Sequence, residues 1–195
     1  LIKNILNNFT DHEIILVANA SLVDLKFEYK EYLVSKNITY FEWFSPCPLD
    51  AISNNRLNID VARLLRSYAF SSFNADIILL TSFIEGFSDN SFTELDHDFL
   101  NIPIMSIFYD LIPLLNPDSY LNSNPSFAKF YNEKIKGLKN LDALLAISKS
   151  SEIEAKKYLN FTSNNIFNIS SACDKDIFNI FIDTKENKNI DFAPL

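Results

Sequence analysis

Two carboxylates and a glycine follow apolar runs within a few residues, where side chains of a folded chain can reach a ligand. Glu85 and Gly86 follow the run Asp76–Thr81, and Asp110 follows Ile104–Tyr109. A carboxylate accepts hydrogen bonds from ligand hydroxyl groups. Each residue also has a structural interpretation: Glu85 caps a following turn or helix N-terminus, and Asp110 forms an Asx-type turn. Gly86 provides an unusual backbone angle or a close approach, or it leaves room for a ligand.

A group of serines marks the start of a predicted helix near the end of the chain. The group comprises Ser148, Ser150 and Ser151. Free backbone N–H groups at a helix N-terminus can bind an anion such as a phosphate. The alternative is plain N-capping, in which a serine hydroxyl accepts a hydrogen bond from one of these N–H groups.

Short apolar runs alternate with segments of helical periodicity along most of the chain. The runs predict six strands: Glu13–Ala18, Ile38–Phe44, Asp76–Thr81, Ile104–Tyr109, Ala143–Ile147 and Ile166–Ile169. The predicted helices are Leu22–Ser35, Ile59–Phe73, Ser126–Leu141 and Ser148–Leu159. This alternation predicts an α/β fold: a three-layer, Rossmann-like parallel sheet with helices on both faces. Ligands of such sheets bind beyond the carboxyl ends of the strands, which is where both carboxylates are predicted to lie.

Three segments carry predictions about burial. The continuous apolar run Asp76–Thr81 is typical of a strand buried on both faces. The segment Ile59–Phe73 repeats apolar residues at helical spacing, with Arg63 and Arg66 on the other face, which predicts an amphipathic helix. An acidic loop without calcium-ligand spacing predicts a solvated surface. Its acidic residues are Asp89, Glu94, Asp96 and Asp98.

Composition argues against several classes of function. The 17 basic and 25 acidic residues give a net charge of −8, whereas general affinity for nucleic acid needs a basic surface. The two glycines, Gly86 and Gly137, are too far apart for a P-loop and too few for a complete dinucleotide-binding fingerprint. Cys47 and Cys173 are interpreted as unpaired thiols in a reducing cytoplasm, and His12 and His97 have no metal-ligand spacing with them.

Three motifs together resemble a known enzyme family. The chain has S-x-x-E-G-F at Ser82–Phe87, D-L-I-P-L at Asp110–Leu114 and L-L-A-x-S at Leu144–Ser148. In this order and spacing it resembles the N-terminal, acceptor-side half of retaining glycosyltransferases of family 4, which have the GT-B fold. In element order the resemblance spans Glu13 to Phe178, and its specific motifs lie within Asp76–Phe178.

The resemblance implies a reaction and a separate binding role for each of two domains. The parent enzyme would transfer a sugar from a nucleotide-diphosphate sugar to a glycan or lipid-linked acceptor, with retention at the anomeric carbon. This half would bind the acceptor, and a second domain would bind the nucleotide sugar. The family generally needs no metal in the active site, so no cofactor and no metal are expected.

The resemblance also assigns roles to individual residues. It implies acceptor binding by Glu85, Gly86 and Ser148, and a catalytic position for Tyr109 and Asp110 in the interdomain cleft. Many family members have His-Asp where this chain has Tyr109 and Asp110. A tyrosine does not titrate near neutral pH as a histidine does, which weakens the case for general acid–base catalysis there. Asp110 would bind the acceptor or orient its loop. The two carboxylates, the glycine and the tyrosine are expected to converge at the ends of adjacent strands.

The family pattern further predicts the place of this chain in a longer protein. Residues 1–173 are expected to form a Rossmann-like domain truncated at its start, with Leu1–Phe9 as the end of its first helix. Residues 174–195 are expected to be a tail or linker toward a C-terminal donor-binding domain. The strand that normally precedes the first helix lies inside the sheet. Its absence would leave an edge of Glu13–Ala18 and of a neighbouring strand unpaired.

Two functional alternatives remain beside the enzyme. One is a stand-alone Rossmann-like module that binds a ligand or partner without catalysis, and the other is an assembly subunit that pairs with a separate donor-domain protein. The expected location is the cytoplasm, with peripheral contact at the inner membrane surface if basic side chains touch anionic lipid headgroups. Those side chains are Lys129, Lys136 and Lys139, for which a solvated helix face is the alternative.

Overall fold

The computed structural model describes residues 11–22, 33 and 38–171. The segment Leu1–Phe9, most of the predicted helix Leu22–Ser35, Cys173 and the tail 174–195 lie outside the described residues. The strands are β1 (Ile15–Asn19), β2 (Thr39–Trp43), β3 (Ile78–Leu80), β4 (Ile104–Phe108), β5 (Ala143–Ala146) and β6 (Ile166–Asn168). The helices are α1 (Arg56–Ser71), α2 (Ile112–Leu115), α3 (Pro117–Tyr120), α4 (Pro125–Leu138) and α5 (Lys149–Tyr158).

All strand pairs of the described ranges are parallel, which confirms the predicted α/β, Rossmann-like class. One sheet has the order β1-β2 and the other has the order β3-β4-β5-β6. The prediction of a single sheet differs from this arrangement, because no described strand pairs with both β1 and β3. The expected missing strand stays a prediction.

The four-stranded sheet forms the main core with helices α4 and α5. Ile104, Leu144 and Ala146 are completely buried in its central strands. Such apolar burial contributes about 25 cal/mol per Å² removed from water, so the central strands hold the strand ends in place. The prediction of burial is right for Ile78 and wrong for Ile77, which is 52% exposed. Strand β3 begins at Ile78, whose N–H bonds to the carbonyl of Pro103, so Ile77 lies outside the ladder.

Helix α1 forms as predicted, but the larger residues of its predicted apolar stripe are exposed and only Ala69 of the stripe is buried. The exposed residues are Val61, Leu64, Leu65 and Tyr68. Leu64 and Tyr68 are 58% and 67% exposed, whereas Ala62 and Ala69 are buried. The small alanine side chains let this helix approach the β1-β2 sheet closely, in a cluster with Trp43. The pattern therefore predicts the helix correctly, while its larger apolar residues do not identify the buried side.

Two helices that flank the site have well-defined starts. Helix α4 begins with Pro125 after Asn124, whose side chain accepts a hydrogen bond from the N–H of Phe127 at 3.0 Å. Proline suits this first position because its missing N–H would have no helical partner there. Helix α5 begins after Ser148, whose hydroxyl accepts from the N–H of Ser151 at 3.1 Å.

Among the helices of the described ranges, none has the length and apolar character that crossing a membrane requires.

Candidate functional site

The carboxyl ends of β3 and β4 border a cavity of about 380 Å³, here called the smaller cavity. Glu85, Gly86, Tyr109 and Asp110 all lie in its walls. They converge because β3 and β4 pair in parallel, with Leu80 opposite Ser106, so that the loops after both strands leave the same edge of the sheet. The structure thus brings four of the predicted site residues together, as expected from their positions after neighbouring strands. Ser148 is not in these walls.

Asp110 forms the Asx-type turn that its structural interpretation requires. Its Oδ1 accepts a hydrogen bond from the N–H of Ile112 at 3.0 Å. The N–H of Leu111, the residue between Asp110 and Ile112, donates to the carboxylate of Glu154 on α5 at 3.0 Å, which connects the turn to that helix. Within the part of the chain that the structure describes, Oδ2 of Asp110 has no hydrogen-bond partner. One carboxylate oxygen therefore orients the loop, and the other is available to a ligand.

Tyr109 connects the ends of the two strands and is about half exposed. Its hydroxyl donates to the carbonyl of Thr81 at 3.3 Å, across from the end of β4 to the end of β3. Its own carbonyl accepts a hydrogen bond from the hydroxyl of Ser151 on α5. These contacts give Tyr109 a structural role at the mouth of the smaller cavity.

Glu85 and Gly86 form a tight turn after β3. The exposed carboxylate of Glu85 accepts a hydrogen bond from the hydroxyl of Ser82 at 2.6 Å, and it caps no helix N-terminus. Gly86 has a φ of +92°, and a Cβ at this position would overlap the backbone oxygen of Ser91. Both the unusual backbone angle and the close approach predicted for Gly86 are therefore confirmed.

Four aromatic residues form one side of the smaller cavity, here called the aromatic wall. They are Phe87, Phe127, Phe130 and Tyr131. The ring centroids of Phe87 and Phe127 lie 5.0 Å apart, and those of Phe127 and Tyr131 lie 5.8 Å apart. This wall was not predicted from the sequence. The available signal is the spacing of its three α4 residues, which puts them on one face of the helix. A cavity with apolar rings and a few convergent polar groups is the usual form of a small-molecule site.

The hydroxyl of Tyr131 is the exceptional group of the wall. Tyr131 is 2% exposed, and its hydroxyl forms no hydrogen bond of normal geometry among the described residues, although the Leu114 N–H lies close enough to act on its pKa. Burial raises the pKa of Tyr131 to about 12, with further increases from the charges of Asp110 and Glu154 and an opposing effect of the Leu114 N–H. The phenol is therefore neutral at physiological pH. A buried polar group without a partner costs about 1–3 kcal/mol.

The serines at the start of α5 act as caps. The hydroxyl of Ser148 accepts from the N–H of Ser151, and the two hydroxyl oxygens lie 2.8 Å apart. This confirms the N-capping interpretation for Ser148. Its acceptor-binding role stays a prediction.

A second cavity of about 440 Å³, here called the larger cavity, lies between α1, α4 and the loop that follows β3. Its inner wall carries a charge network that was not predicted from the sequence. The Nζ of Lys134, a residue that is 5% exposed, donates to the hydroxyl of Thr93 at 3.0 Å and lies 3.4 Å from Oε1 of Glu94. The other oxygen of Glu94 lies 2.7 Å from Arg63. The prediction of a solvated acidic loop is therefore wrong at Glu94.

Electrostatics within this network follow from its partial burial. Burial alone would raise the pKa of Glu94, but the positive charges of Lys134 and Arg63 outweigh it and lower the pKa below its usual value. Burial lowers the pKa of Lys134, although the Glu94 carboxylate opposes the shift.

Two other residues of the acidic loop also bind backbone groups: Asp89 accepts from the Ser91 N–H, and Asp96 accepts from the Asp98 N–H.

The three lysines considered for lipid contact are all exposed. Lys136 and Lys139 lie outside the walls of both cavities, and Lys129 lines the larger one. No ion pair involves any of the three in the described ranges. Across these same ranges, no group of three or more His, Cys, Asp and Glu side chains is placed to hold a metal ion.

Comparisons with known proteins relate most of this chain to one group of relatives. No family model matches the chain, and no solved structure matches it. Two Escherichia coli proteins named serotype-specific mannosyltransferase WbdA are 30% identical to it over 175 residues, which is 87% of this chain and 21% of each relative. A third protein of that name is 29% identical over 179 residues, or 89% of this chain and 22% of the relative. The chain is therefore similar to a part of proteins named mannosyltransferases, and it spans about a fifth of their length.

Proposed function

We propose that this chain is the acceptor-binding half of a retaining GT-B glycosyltransferase of family 4. The whole enzyme would transfer a sugar from a nucleotide-diphosphate sugar to a glycan acceptor. The similarity to proteins named mannosyltransferases supports glycosyl transfer, and mannose is the sugar that their name suggests. The observation that carries the proposal is the smaller cavity, where Glu85 and Asp110 converge beside the aromatic wall.

The chemistry of this cavity suits a sugar acceptor. Sugar hydroxyls donate hydrogen bonds, and the unpartnered Oδ2 of Asp110 and the exposed carboxylate of Glu85 accept them. Phe87 and Phe127, the two partly exposed rings of the aromatic wall, offer apolar surface to the C–H groups of a pyranose. Hydrogen bonds to charged groups contribute about 1.5–3 kcal/mol each, so two carboxylates can fix the orientation of one sugar ring.

In this proposal, orientation is the contribution of the chain to catalysis. Asp110 holds the acceptor hydroxyl whose oxygen bonds to the anomeric carbon of the donor, while the bond from that carbon to the diphosphate breaks and the hydroxyl proton leaves with the diphosphate. Glu85 holds a second hydroxyl of the same sugar. Placing two reactants in a reactive geometry lowers the barrier because translational and rotational freedom is lost at the binding step. Tyr109, whose hydroxyl donates to Thr81, shapes the mouth of the cavity. Binding of the donor diphosphate is assigned to another part of the enzyme.

The test compares the full-length gene product with residues 1–195. The full-length protein is expected to transfer sugar from a guanosine or uridine diphosphate sugar to a manno-oligosaccharide, with retention measured by NMR of the product. Residues 1–195 alone are expected to show no transfer and no calorimetric binding of the donor. Micromolar donor binding by residues 1–195 would contradict the assignment to the acceptor half. A full-length protein that binds glycans without transfer would favour the non-catalytic binding module.

A further inference from the structure

The two cavities adjoin each other at the turn after β3. Phe83, Glu85, Gly86 and Phe130 lie in the walls of both. The turn is fixed from both sides, because Gly86 packs against the backbone of Ser91 and its carbonyl accepts from the N–H of Ala51 at 3.0 Å. A ligand that fills the smaller cavity therefore has a second space next to it, on the other side of the Glu85 side chain.

The larger cavity offers hydrogen-bonding groups that the protein itself leaves unused. Arg56, at the start of α1, and Lys129 and Glu133, both on α4, line it and are exposed. The side chains of Arg56, Lys129 and Glu133 form no ion pair or hydrogen bond with any part of the chain that is described. Lys129 and Glu133 do not pair with each other, although they are four residues apart on one helix. The buried network of Lys134, Glu94 and Arg63 lies behind them and satisfies its own charges.

The mixture of charges in the larger cavity favours a neutral, polyhydroxylated ligand. Its walls contain the cations Arg56 and Lys129 beside the carboxylates of Asp60 and Glu133. A phosphate or carboxylate ligand prefers a site with a clear excess of donors and positive charge. A sugar hydroxyl donates one hydrogen bond and accepts others, so it uses both kinds of group. The partly exposed ring of Phe92 supplies apolar surface, since Phe83 and Phe130 are buried beneath Lys134.

We propose that the larger cavity is a second sugar subsite and that the acceptor is an oligosaccharide of at least two units. This inference rests on the function proposed above. The terminal sugar occupies the smaller cavity, between Glu85 and Asp110. The preceding sugar lies across the Glu85–Gly86 turn, where Arg56, Lys129 and Glu133 bind its hydroxyls.

The test measures the KM of the full-length enzyme for mannose and for α-linked manno-oligosaccharides of two and three units. In the wild type, the second unit is expected to lower KM about tenfold, as two additional hydrogen bonds allow. The double substitution Arg56→Ala with Lys129→Ala is expected to bring the ratio of the one-unit KM to the two-unit KM close to one. Both side chains are exposed, so the melting temperature serves as the check that the double variant folds.

Lys136→Ala is the matched control, because Lys136 is an exposed lysine on the same helix outside both cavities. It is expected to preserve the wild-type dependence on acceptor length. A wild-type KM that does not change with length would overturn the second subsite while leaving the proposed function intact. A double variant that keeps the wild-type ratio of the one-unit KM to the two-unit KM would also overturn the second subsite. Absence of transfer from the wild type to every acceptor would instead reject the proposed function, and the inference with it.

Discussion

The Nζ of Lys134 lies 3.4 Å from Oε1 of Glu94, although the two residues are far apart in the sequence. The contact joins α4 to the loop that follows β3. The opposite oxygen of Glu94 lies 2.7 Å from Arg63 on α1, so one carboxylate connects two helices. Because this loop also contains Glu85 and Gly86, the network supports the turn between the two cavities.

Replacing Glu94 by glutamine is expected to destabilise the protein by about 2–3 kcal/mol. The substitution leaves the buried ammonium of Lys134 without its counter-charge, which costs roughly 3–5 kcal/mol in a fully buried pair and less here because Glu94 is one-third exposed. Urea unfolding measures the change. The control is Asp60→Asn, which breaks only the exposed pair between Asp60 and Arg63 and is expected to cost under about 1 kcal/mol. Equal losses of unfolding free energy in both variants would contradict the role of Glu94 as the counter-charge of Lys134.

The pH dependence of stability follows from the lowered pKa of Glu94. A carboxylate whose pKa is lower in the folded than in the unfolded chain stabilises the fold fully above its unfolded pKa, near 4.3. That contribution is lost as the pH falls through the lower, folded value. The difference in unfolding free energy between wild type and Glu94→Gln is therefore expected to be constant from pH 6 to about 5 and to shrink below about pH 4. Unfolding of both proteins at several pH values measures this difference. A difference that grows on acidification would contradict the argument.

Replacing Tyr131 by phenylalanine is expected to stabilise the ligand-free protein by about 1 kcal/mol, the low end of the cost of an unsatisfied buried group, because the Leu114 N–H partly compensates the hydroxyl. The substitution keeps the ring in the aromatic wall and removes a buried hydroxyl that forms no hydrogen bond of normal geometry with the described residues. Thermal unfolding measures the effect. The matched control is Tyr120→Phe, which removes an exposed hydroxyl outside both cavities and is expected to change stability by less than about 0.5 kcal/mol. A loss of stability in Tyr131→Phe would show that the hydroxyl has a partner in solution.

Replacing Gly86 by alanine is expected to cost about 2–3 kcal/mol and to weaken acceptor binding. The new Cβ would overlap the backbone oxygen of Ser91, and the φ of +92° is unfavourable for alanine. Gly137→Ala is the comparison, because a Cβ there would lie 3.0 Å from the tip of the Phe83 ring, and alanine also favours the helix. Denaturant unfolding is expected to rank Gly86→Ala as clearly the less stable variant. The reverse order would mean that the turn is not fixed as described.

Within the described residues, local patterns predicted the six strands and the three longer helices, but not the short helices α2 and α3. Continuous apolar runs such as Ile104–Tyr109 end within one residue of the observed strands, because central parallel strands are apolar on both faces. The same argument predicted that Glu85, Gly86 and Asp110 would converge, since the ends of paired parallel strands share one edge. The Asx turn of Asp110 and the cap at Ser148 followed from short-range side-chain chemistry.

Features that depend on long-range packing were not predictable in this way. Lys134 and Glu94 come together only after the chain folds, so neither spacing nor composition indicates their pairing. In α1, periodicity indicates two helix faces but not which one is buried. The alanine face is buried because it packs closely on β2, while Arg63 and Arg66 point to the same side and bind Glu94. The aromatic wall required Phe87 of the loop to meet the rings of α4.

The decisive prediction for the site is that Asp110→Asn and Glu85→Gln lower turnover without unfolding the protein. Each amide keeps a carbonyl oxygen that can accept the existing hydrogen bond, from the Ile112 N–H and from the Ser82 hydroxyl respectively. Each loses the negative charge that would bind an acceptor hydroxyl. We expect kcat/KM of the full-length enzyme to fall about 10- to 100-fold, as the loss of a charged hydrogen bond of roughly 1.5–3 kcal/mol implies.

The control for both variants is Asp98→Asn, since Asp98 is an exposed carboxylate of the same loop that lies outside both cavities. Asp98→Asn is expected to retain wild-type kcat/KM, and all three variants are expected to melt within about 2 °C of the wild type, as surface substitutions usually do. Full activity of both Asp110→Asn and Glu85→Gln toward the native acceptor would show that these carboxylates only form turns. Unfolding of both would show that they hold the loops together, and the acceptor would then have to be bound by other residues of the smaller cavity.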